Sequence, residues 1–348
     1  MTSEAREKAY EGGQPVMLFR FTRGNVSWRY TSSDRPETHN GDIYLPAAIE
    51  RGRVRQGIEE AQLAVTVTLP STLPVADNWR PYPPSEAVVL TIFIRHVNET
   101  DALADWVGRV VAPKFSGATL ELTGEPTATG SRREGASRIW QRACDVPLYS
   151  QGPGMCNLQA DAVPVPAVLS AVDDVTLTAP GFAGAPRSLA GGVLEWVDVA
   201  EETQQRAIVT HDGDTITVDT GSVDFVPELA VTAIANALWR EATVGTVDGL
   251  LVTADAFGNF PSGRLAGGYV EWERASDGLI EYRSINAHTG NQVQLYYGAL
   301  DMAPGLILRA YPGCAHTWSD CGHFENRPNY GGALWMPTKT PFDGNPVW

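Results

Sequence analysis

The first third of the chain alternates apolar and polar positions with a period of two, which is the pattern of half-buried β-strands. Residues Leu63–Leu69 show it most clearly, and the runs Val16–Phe21 and Val26–Tyr30 flank the hairpin signal Arg23-Gly24-Asn25. The same pattern predicts further strands at residues 88–97, 106–111 and 118–122. We therefore predict a β-rich N-terminal domain over residues 14–130, preceded by a polar, flexible arm at residues 1–13.

One segment departs from this pattern. The run SRRE at residues 131–134 has the residues of a helix start, and the apolar residues at 139, 140 and 143 then fall on one side of a helix. The sequence predicts a short central helix over residues 131–143 that leads into Cys144. Residues 131–165 are assigned to this helix and the first pair of cysteines.

The middle of the chain contains an internal repeat. Three segments recur, in order, and are paired as follows: Val172–Ala179 with Val247–Ala254, Leu189–Trp196 with Leu265–Trp272, and Arg206–Gly213 with Arg283–Gly290. The offset grows from 75 to 76 to 77, as single-residue insertions in loops would make it. Two copies are too few for a solenoid, so the sequence predicts duplicated small β-barrel modules of four or five strands. Copy 1 is placed at residues 166–245 and copy 2 at residues 246–311.

The repeat also decides an ambiguous segment. Residues Glu228–Ala237 are helical by propensity, but the equivalent residues Gly305–Tyr311 have the composition of a strand after a Pro-Gly turn. We therefore predict that both segments begin as β-strands. A helical turn is expected near residues Leu238–Arg240.

Composition and charge exclude some classes of protein. The chain has 348 residues, of which 43% are hydrophobic, and a net charge of −15. Such a surface repels nucleic acid on average, so direct binding of nucleic acid is not expected. The acidity serves solubility, or forms a wall past which DNA slides. The N-terminus has no apolar signal, and no apolar run approaches the length of about 20 residues that a membrane helix needs.

The four cysteines need an explanation in a protein expected to fold in a reducing cytoplasm, where disulfides are not the default. They are Cys144 and Cys156, separated by eleven residues, and Cys314 and Cys321, separated by six. The repeated modules lie between the two pairs, so we expect the modules to form an excursion whose ends return to one place. Buried free thiols are one interpretation. Structural zinc and an iron–sulfur cluster are the others, and the spacing alone does not separate those two.

The C-terminal sequence resembles a known family. The run YPGCAHTWSDC, which ends at Cys321, and the runs Phe324–Asn326 and Asn329–Gly332 resemble the C-terminus of the phage tail baseplate hub family. That family includes hub proteins of gene transfer agents and is similar, more distantly, to tail-tip protein L of phage lambda. The run WQRACD, which ends at Asp145, and the following Cys156 are similar to the family's central segment. Together these regions cover most of residues 15–160 and 247–335.

The resemblance implies a homotrimeric hub below the last ring of the tail. Its implied partners are the distal tail protein and the central fibre or tip attachment protein, with the tape measure protein as a further candidate. By analogy with protein L, it implies an iron–sulfur cluster of the [4Fe-4S] type on Cys144, Cys156, Cys314 and Cys321, with zinc as the less favoured metal. Two features depart from the family: Tyr330 stands where Phe is usual, and two β modules stand where one is usual.

We therefore predict a non-enzymatic structural protein of the virion, located at the tail tip of a long-tailed phage or phage-derived particle and made in the host cytoplasm. Residues 312–348 hold the second cysteine pair, as a metal-stapled segment, and a C-terminal tail that docks in extended form on a neighbour. The alternative function is recognition of a host receptor glycan by the duplicated modules. Its candidate stacking residues are Trp196, Trp272, Tyr296 and Tyr297, although both tryptophans also suit a core.

Two histidine pairs allow other interpretations. His316 and His323 flank Cys321, which raises the alternative of a Cys–His peptidase. His211 and His288 hold equivalent positions in the repeat, where a turn residue is the main interpretation and a metal or sugar site the alternative.

Overall fold

Strands dominate the described part of this computed structural model, which comprises residues 15–52, 64–96, 101–127 and 140–336. These residues form 23 β-strands in three sheets and one α-helix, α1 (Trp318–His323). Short 3-10 helices lie at Pro74–Trp79, Phe182–Gly184, Asp255–Asn259 and Arg327–Asn329. The prediction of a mainly β fold is confirmed. Within the described ranges, no helix is long and apolar enough to span a bilayer.

The first sheet has nine strands. They are β1 (Pro15–Arg23), β2 (Val26–Thr31), β3 (Glu37–His39), β4 (Asp42–Pro46), β5 (Glu50–Arg51), β6 (Val65–Pro70), β7 (Val89–His96), β8 (Leu103–Ser116) and β9 (Thr119–Pro126). Their order in the sheet is β3-β4-β2-β1-β7-β8-β9-β6-β5. All pairs are antiparallel except β2 with β4.

The predicted hairpin is confirmed, because β1 pairs with β2 around a turn at Gly24, whose φ is +53°. Alternation along β6 buries Val65, Val67 and Leu69 and leaves the residues between them partly exposed, as predicted. Strand β8 is longer than predicted. It continues through Ala112–Lys114, which pairs with β9. These residues are exposed, so the alternation of apolar and polar positions is weak there.

The core of the first sheet is apolar and includes Phe19, Phe21, Leu90, Ile92, Leu120 and Leu122. Beside it lies a buried ionic group. The side chain of Arg23 is fully buried, and its Nη2 lies 2.5 Å from Glu281 Oε1. Glu281 also accepts hydrogen bonds from the Ser85 hydroxyl and from Arg283 Nη1, the latter at 3.0 Å. Residues far apart in sequence are therefore joined by charge as well as by packing.

The second sheet has seven strands. They are β10 (Val163–Val168), β11 (Ala171–Asp173), β12 (Thr176–Thr178), β13 (Val193–Val197), β14 (Thr203–Asp212), β15 (Thr215–Val218) and β16 (Ala230–Ala235). Their order is β10-β16-β13-β14-β15-β12-β11. Its core includes Leu177, Phe182, Leu189, Leu194, Ile208 and Ile216. Segment 228–237 contributes a strand, as the repeat predicted.

The third sheet repeats this arrangement. Its strands are β17 (Arg240–Thr243), β18 (Thr246–Asp248), β19 (Leu251–Thr253), β20 (Tyr269–Glu273), β21 (Ile280–Thr289), β22 (Gln292–Leu295) and β23 (Ile307–Tyr311). Their order is β17-β23-β20-β21-β22-β19-β18, which is the second sheet's order with every strand number raised by seven. The duplication inferred from sequence is therefore a duplication of topology.

Each copy has seven strands, so the expectation of four or five was wrong. The strands missed are mostly edge strands of three to six residues, too short to show periodicity. Edge strand β10 also contains Pro164 and Pro166, which only an edge tolerates because proline has no N–H to donate.

The strands of the third sheet begin at Arg240, where a helical turn was expected. Residues Leu238 and Trp239 form a bend, so that expectation was wrong. The predicted central helix lies mainly outside the described residues. Its last part, residues 140–143, is bend and coil rather than helix. The N-terminal arm, residues 1–13, and residues 337–348 of the C-terminal tail also lie outside the described residues.

Contacts divide the chain into two units. The first comprises the described residues of Met1–Ser137, Trp272–Arg283 and Tyr297–Met302. The second comprises those of Arg138–Glu271, Ser284–Tyr296 and Ala303–Trp348, and it contains all four cysteines.

Candidate metal centre

The segments that carry the two cysteine pairs lie against each other in the second unit. The Cys144 N–H donates to the His316 carbonyl oxygen at 2.8 Å, and the Ala333 N–H donates to that of Gln141 at 2.8 Å. Each bond joins a residue that precedes the two repeated sheets in the sequence to a residue that follows them. The chain therefore leaves this place after the first pair and returns to it before the second, as the sequence predicted.

Side chains add further links between the same segments. The Tyr149 hydroxyl donates to the Pro312 carbonyl at 2.7 Å, and the Asn326 amide donates to the Cys156 carbonyl at 2.7 Å. The Tyr330 hydroxyl donates to the Arg142 carbonyl at 2.6 Å. A phenylalanine could not make this last bond, so the hydroxyl gives a physical role to the residue that departs from the family pattern.

Helix α1 positions Cys321. Thr317 caps its N-terminus by accepting a hydrogen bond from the Asp320 N–H at 3.1 Å. The Asp320 carboxylate accepts the Ala315 N–H at 2.7 Å and pairs with Arg264 at 2.7 Å. Burial would raise the pKa of Asp320, but these hydrogen bonds and the positive charge of Arg264 hold it below its usual value.

All four cysteines line one pocket. Its empty space is about 290 Å³, part of it open to solvent, and its other walls include Val146, Leu148, Asn326, Asn329 and Tyr330. Cys321 is buried and the other three cysteines are half-buried, all as free thiols. Among the described residues, no three His, Cys, Asp or Glu side chains are grouped so as to hold a metal ion. The thiols thus share a pocket without forming the ligand shell of one ion.

Donors point at three of the four sulfur atoms. The Gly331 N–H lies 3.3 Å from Cys144 Sγ, and the His316 N–H lies 3.3 Å from Cys314 Sγ. The Asn326 side-chain amide lies 3.4 Å from Cys156 Sγ. Hydrogen bonds of this kind favour the thiolate over the thiol and tune the potential of iron–sulfur clusters. The chemistry of the pocket therefore suits a group bound through thiolates.

Burial opposes formation of the thiolate at two of the cysteines. It raises the pKa of Cys314 to about 11, although the hydrogen bond from His316 opposes the shift. It also raises the pKa of Cys321, and the neighbouring Cys156 and Cys144 add to that effect. A nucleophilic cysteine needs a depressed pKa, so these environments do not favour the peptidase interpretation that His316 and His323 raised.

Close packing in the pocket explains why residues 331 and 332 are both glycine. A Cβ at Gly331 would lie 2.6 Å from Val146 Cγ2, 2.9 Å from Asp145 Oδ1 and 3.3 Å from Cys144 Sγ. A Cβ at Gly332 would lie 2.3 Å from the Arg142 carbonyl oxygen. The Gly-Gly run of the C-terminal motif is therefore required for the approach of residues 142–146.

His211 and His288 stabilise loops in the two repeated sheets. Nδ1 of His211 accepts the Leu189 N–H at 3.2 Å, and its Nε2 lies 3.0 Å from the Gly213 carbonyl. His288 makes the equivalent bonds to Leu265, at 3.4 Å, and Gly290, at 2.8 Å. Both contacts match the interpretation of these histidines as turn residues.

The four aromatic residues considered for glycan stacking do not form one surface. Trp196 and Trp272 are each 3% exposed, and each indole donates to an aspartate, Asp224 at 3.1 Å and Asp301 at 2.7 Å. Both tryptophans are core residues. The other two, Tyr296 and Tyr297, are more than half exposed.

Comparison with known proteins identifies one matching sequence family and one curated relative. Residues 263–340, which include Cys314 and Cys321, match the family described as phage conserved hypothetical protein BR0599. An uncharacterized protein of Xylella fastidiosa (strain 9a5c) is 30% identical over 238 residues, which are 63% of this chain and 48% of that protein. The chain thus spans about half the length of this curated relative.

The fold is similar to that of a known virion component. A chain in the structure of the virion of a native gene transfer agent (GTA) particle matches with a TM-score of 0.52 and 13% identity. The match covers 100% of this chain and 99% of that chain, so it extends over the whole fold.

The sequence predicted the four cysteines but not the groups that donate hydrogen bonds to their sulfur atoms. Asn326 and Gly331 lie in the C-terminal motif, so the motif itself carried a signal. Their role as donors depends on the approach of a segment about 180 residues away, which no local pattern reveals.

Proposed function

We propose that this chain is a structural protein of a phage or phage-derived virion, and that it forms the baseplate hub at the tail tip. The observation that carries the proposal is the coincidence of two likenesses. The C-terminal cysteine segment matches a phage-conserved family, and the fold along the whole chain is similar to a chain of the GTA virion. The hub position and a homotrimeric state are supported by the resemblance of the cysteine motifs alone.

The four cysteines are proposed to hold a [4Fe-4S] cluster. Cys144, Cys156, Cys314 and Cys321 line one pocket, and three of their sulfurs receive N–H donors. A zinc ion would need all four sulfurs within about 2.3 Å of one centre, whereas a cluster distributes one thiolate to each of four irons and suits a wider group. A bound cluster supplies metal–thiolate bonds that join the two segments.

The role proposed for this group is structural. Metal binding that occurs only in the folded state adds its free energy to folding. The pocket lies where the chain leaves for the repeated sheets and returns from them, so a bond there fixes both ends of the excursion. The chain's own hydrogen bonds, such as that between Cys144 and His316, orient the sulfurs before any metal is bound.

The first test is the metal content of protein purified without oxygen from the cytoplasm of the expressing cell. Iron and acid-labile sulfide near four per chain, with a broad visible absorption, are expected. Replacing Cys144 by Ser is expected to remove the cluster, whereas Ser319→Ala, a change in helix α1 that spares the thiols, is expected to retain it. Zinc in place of iron would contradict the cluster but keep the joining role, and metal-free protein would contradict both.

The second test addresses the hub. Co-expression with the distal tail protein and the central fibre protein of the same particle is expected to give a complex in which this chain is present three times. The proposed partners include the tape measure protein, which can be added to the same experiment. A chain that stays monomeric and joins none of these proteins would contradict the hub, whatever its metal content.

A second candidate function is recognition of a host glycan. The exposure of Tyr296 and Tyr297, at 56% and 58%, is the observation that favours it. Binding of the protein to host cell-wall material that is lost in the double variant Tyr296→Ala, Tyr297→Ala would support it. No binding to that material would remove this candidate.

A further inference from the structure

The second sheet has an outward face that carries almost no charge. This charge-poor face consists of every second residue of Pro164–Val168, Val193–Val197, Thr203–Ala207 and Ala230–Ile234, which the strand register places side by side. The residues that alternate with them on β13 and β16 are buried in the core of the sheet. Of the twelve outward residues, three on each of four strands, Glu195 is the ionisable one.

Apolar side chains on this face are open to solvent. Val168 is 54% exposed and Val197 is 57% exposed, and Val199, in the loop between β13 and β14, is almost fully exposed. A shallow groove whose walls include Pro166, Val168, Pro180 and Val197 crosses the face. Single exposed apolar residues are ordinary on a protein surface, whereas a contiguous patch of them marks a site of interaction.

The equivalent face of the third sheet carries charge. Its middle row contains Glu241, Arg309 and Glu271, which are neighbours across paired strands. Arg309 Nη1 lies 3.9 Å from Glu271 Oε1. The same three positions of the second sheet are occupied by Pro166, Thr232 and Glu195. Because the two sheets share one strand order, the low charge of the face belongs to the sequence of the second sheet and not to the fold.

The rest of this part of the chain is strongly acidic. Residues 163–239 carry eleven Asp and Glu residues and two Arg residues, and ten of the eleven acidic residues lie outside the charge-poor face. The whole chain has a net charge of −15. Two copies therefore repel each other wherever their acidic surfaces meet, within a screening length of about 8–10 Å at physiological ionic strength. A positively charged partner would be attracted to the acidic surfaces instead.

Prolines decide how a partner can approach this sheet. Strand β10 is the edge, and Pro164 and Pro166 have no N–H to donate to a further strand. Addition of a strand at this edge is therefore disfavoured, so a partner on this side has to contact the face. Both proline rings lie on that face and add to its apolar surface.

We infer that the charge-poor face is covered by a second copy of this chain. Two equally acidic copies can approach through this face without placing like charges in contact, and its valines and prolines are then removed from water. The inference rests on the proposed function in one respect, because a homotrimer requires contacts between copies. It does not depend on the metal centre.

The test is the association of the full-length protein, measured by sedimentation velocity over a range of concentrations. The natural protein is expected to form an assembly of two or more copies. Association is expected to be tighter in about 0.5 M than in about 0.05 M NaCl, because salt screens the repulsion between acidic copies. Val168→Glu places a charge in the contact and is expected to weaken association about tenfold or more.

Two further variants make the test specific. Thr243→Glu places the same charge at the equivalent position of the third sheet, since Thr243 pairs with Ile307 as Val168 pairs with Ala230. It is expected to change association by less than about twofold, as an exposed substitution outside the contact should. Val168→Thr keeps a β-branched residue without a charge and is expected to retain most of the association. Circular dichroism checks that each variant is folded.

Four results would overturn the inference. An assembly that Val168→Glu does not weaken would leave the homotrimer in place and assign its contacts to another surface. Association that weakens as salt is added would show that opposite charges make the contact. A chain that stays monomeric at every concentration would contradict the homotrimer as well. A monomer that binds another protein of the particle, and loses that binding in Val168→Glu, would assign the face to that protein.

Discussion

The backbone N–H of Cys144 donates a hydrogen bond of 2.8 Å to the carbonyl oxygen of His316, and this bond joins the two cysteine segments directly. His316 has a φ of +58°, an uncommon conformation for a residue with a side chain. The surrounding contacts thus hold the backbone in a strained form so that its carbonyl faces Cys144 and its N–H faces the Cys314 sulfur. The junction is defined by the protein chain before any metal contributes.

Removing one hydroxyl tests how much the junction depends on its hydrogen bonds. Tyr330→Phe removes the bond to the Arg142 carbonyl and is expected to lower the free energy of unfolding by about 0.5–1 kcal/mol. Chemical denaturation measures this value. Tyr296→Phe, at an exposed tyrosine, is the control and is expected to have no measurable effect. Equal stability of the two variants would show that water replaces the Tyr330 bond.

Adding one methyl group tests the close approach at the pocket. Gly331→Ala places a Cβ 2.6 Å from Val146 Cγ2, so the segment must shift, at an expected cost of about 1–3 kcal/mol. The shift also moves the N–H that faces Cys144 Sγ, and reduced metal content is expected with it. Gly184→Ala is the matched control, because no atom lies within 4 Å of its added Cβ. Thermal unfolding measures the stability of both variants, and metal analysis measures their metal content.

A change in the buried ionic group of the first unit is expected to lower the free energy of unfolding more than the changes at the pocket. Burial would raise the pKa of Glu281, but hydrogen bonds from Ser85 and Arg23 and the charges of Arg23 and Arg283 hold it below its usual value. Glu281→Gln leaves the fully buried Arg23 guanidinium without a counter-charge, at an expected cost of about 3–5 kcal/mol. Denaturant unfolding measures it.

An exposed ion pair supplies the control for that change. Glu125→Gln breaks a pair with Arg109 in which both side chains are about 40% exposed, and its expected cost is below about 1 kcal/mol. Similar costs for Glu125→Gln and Glu281→Gln would contradict the importance of burial. Since the pKa of Glu281 is lowered in the folded state, its contribution is present above the unfolded value and is lost as the pH falls through the folded value.

His39 predicts an additional sensitivity to acid. Burial lowers its pKa, and the charges of Arg95 and Arg20 lower it further against the opposing effects of Asp101 and Asp42. The unfolded chain then takes up the proton first, so stability is expected to fall as the pH drops below about 6.5 and to level once the pH is below the folded pKa. The measurement is the free energy of unfolding between pH 8 and pH 5.

The matched variant for this prediction is His39→Gln, which cannot take up a proton. Its stability is expected to depend less on pH than that of the natural protein over the same interval. Identical slopes in the two proteins would exclude His39 as a source of the dependence.

The sequence predicted the strands whose two faces differ most in hydrophobicity. Strand β6 alternates fully, and the hairpin β1–β2 has a turn that requires Gly24, so both were found. The repeat corrected the helical propensity of residues 228–237, because the equivalent residues have a strand pattern. The edge strands β10 and β17 were missed, since two prolines in one and charged residues in the other hide their strand character.

The pocket was predictable in its four cysteines but not in its geometry. The cysteine spacing identified Cys144, Cys156, Cys314 and Cys321 as one group, because the repeat lies between the pairs. The donors to Cys144 Sγ and Cys156 Sγ and the buried pair of Arg23 with Glu281 could not be predicted, since their partners are 170 to 258 residues apart. Contacts of that range depend on the completed fold.

The position of the repeated sheets has a consequence for how such proteins diversify. The chain departs from the pocket after Cys156 and is back at it by Cys314, so both ends of the excursion are held there, and Arg264 of the second copy adds a link through Asp320. Recombination can then insert, delete or exchange a whole seven-stranded sheet while both ends stay anchored. The two copies in this chain share one strand order, as the duplication of a whole sheet between fixed ends would leave them.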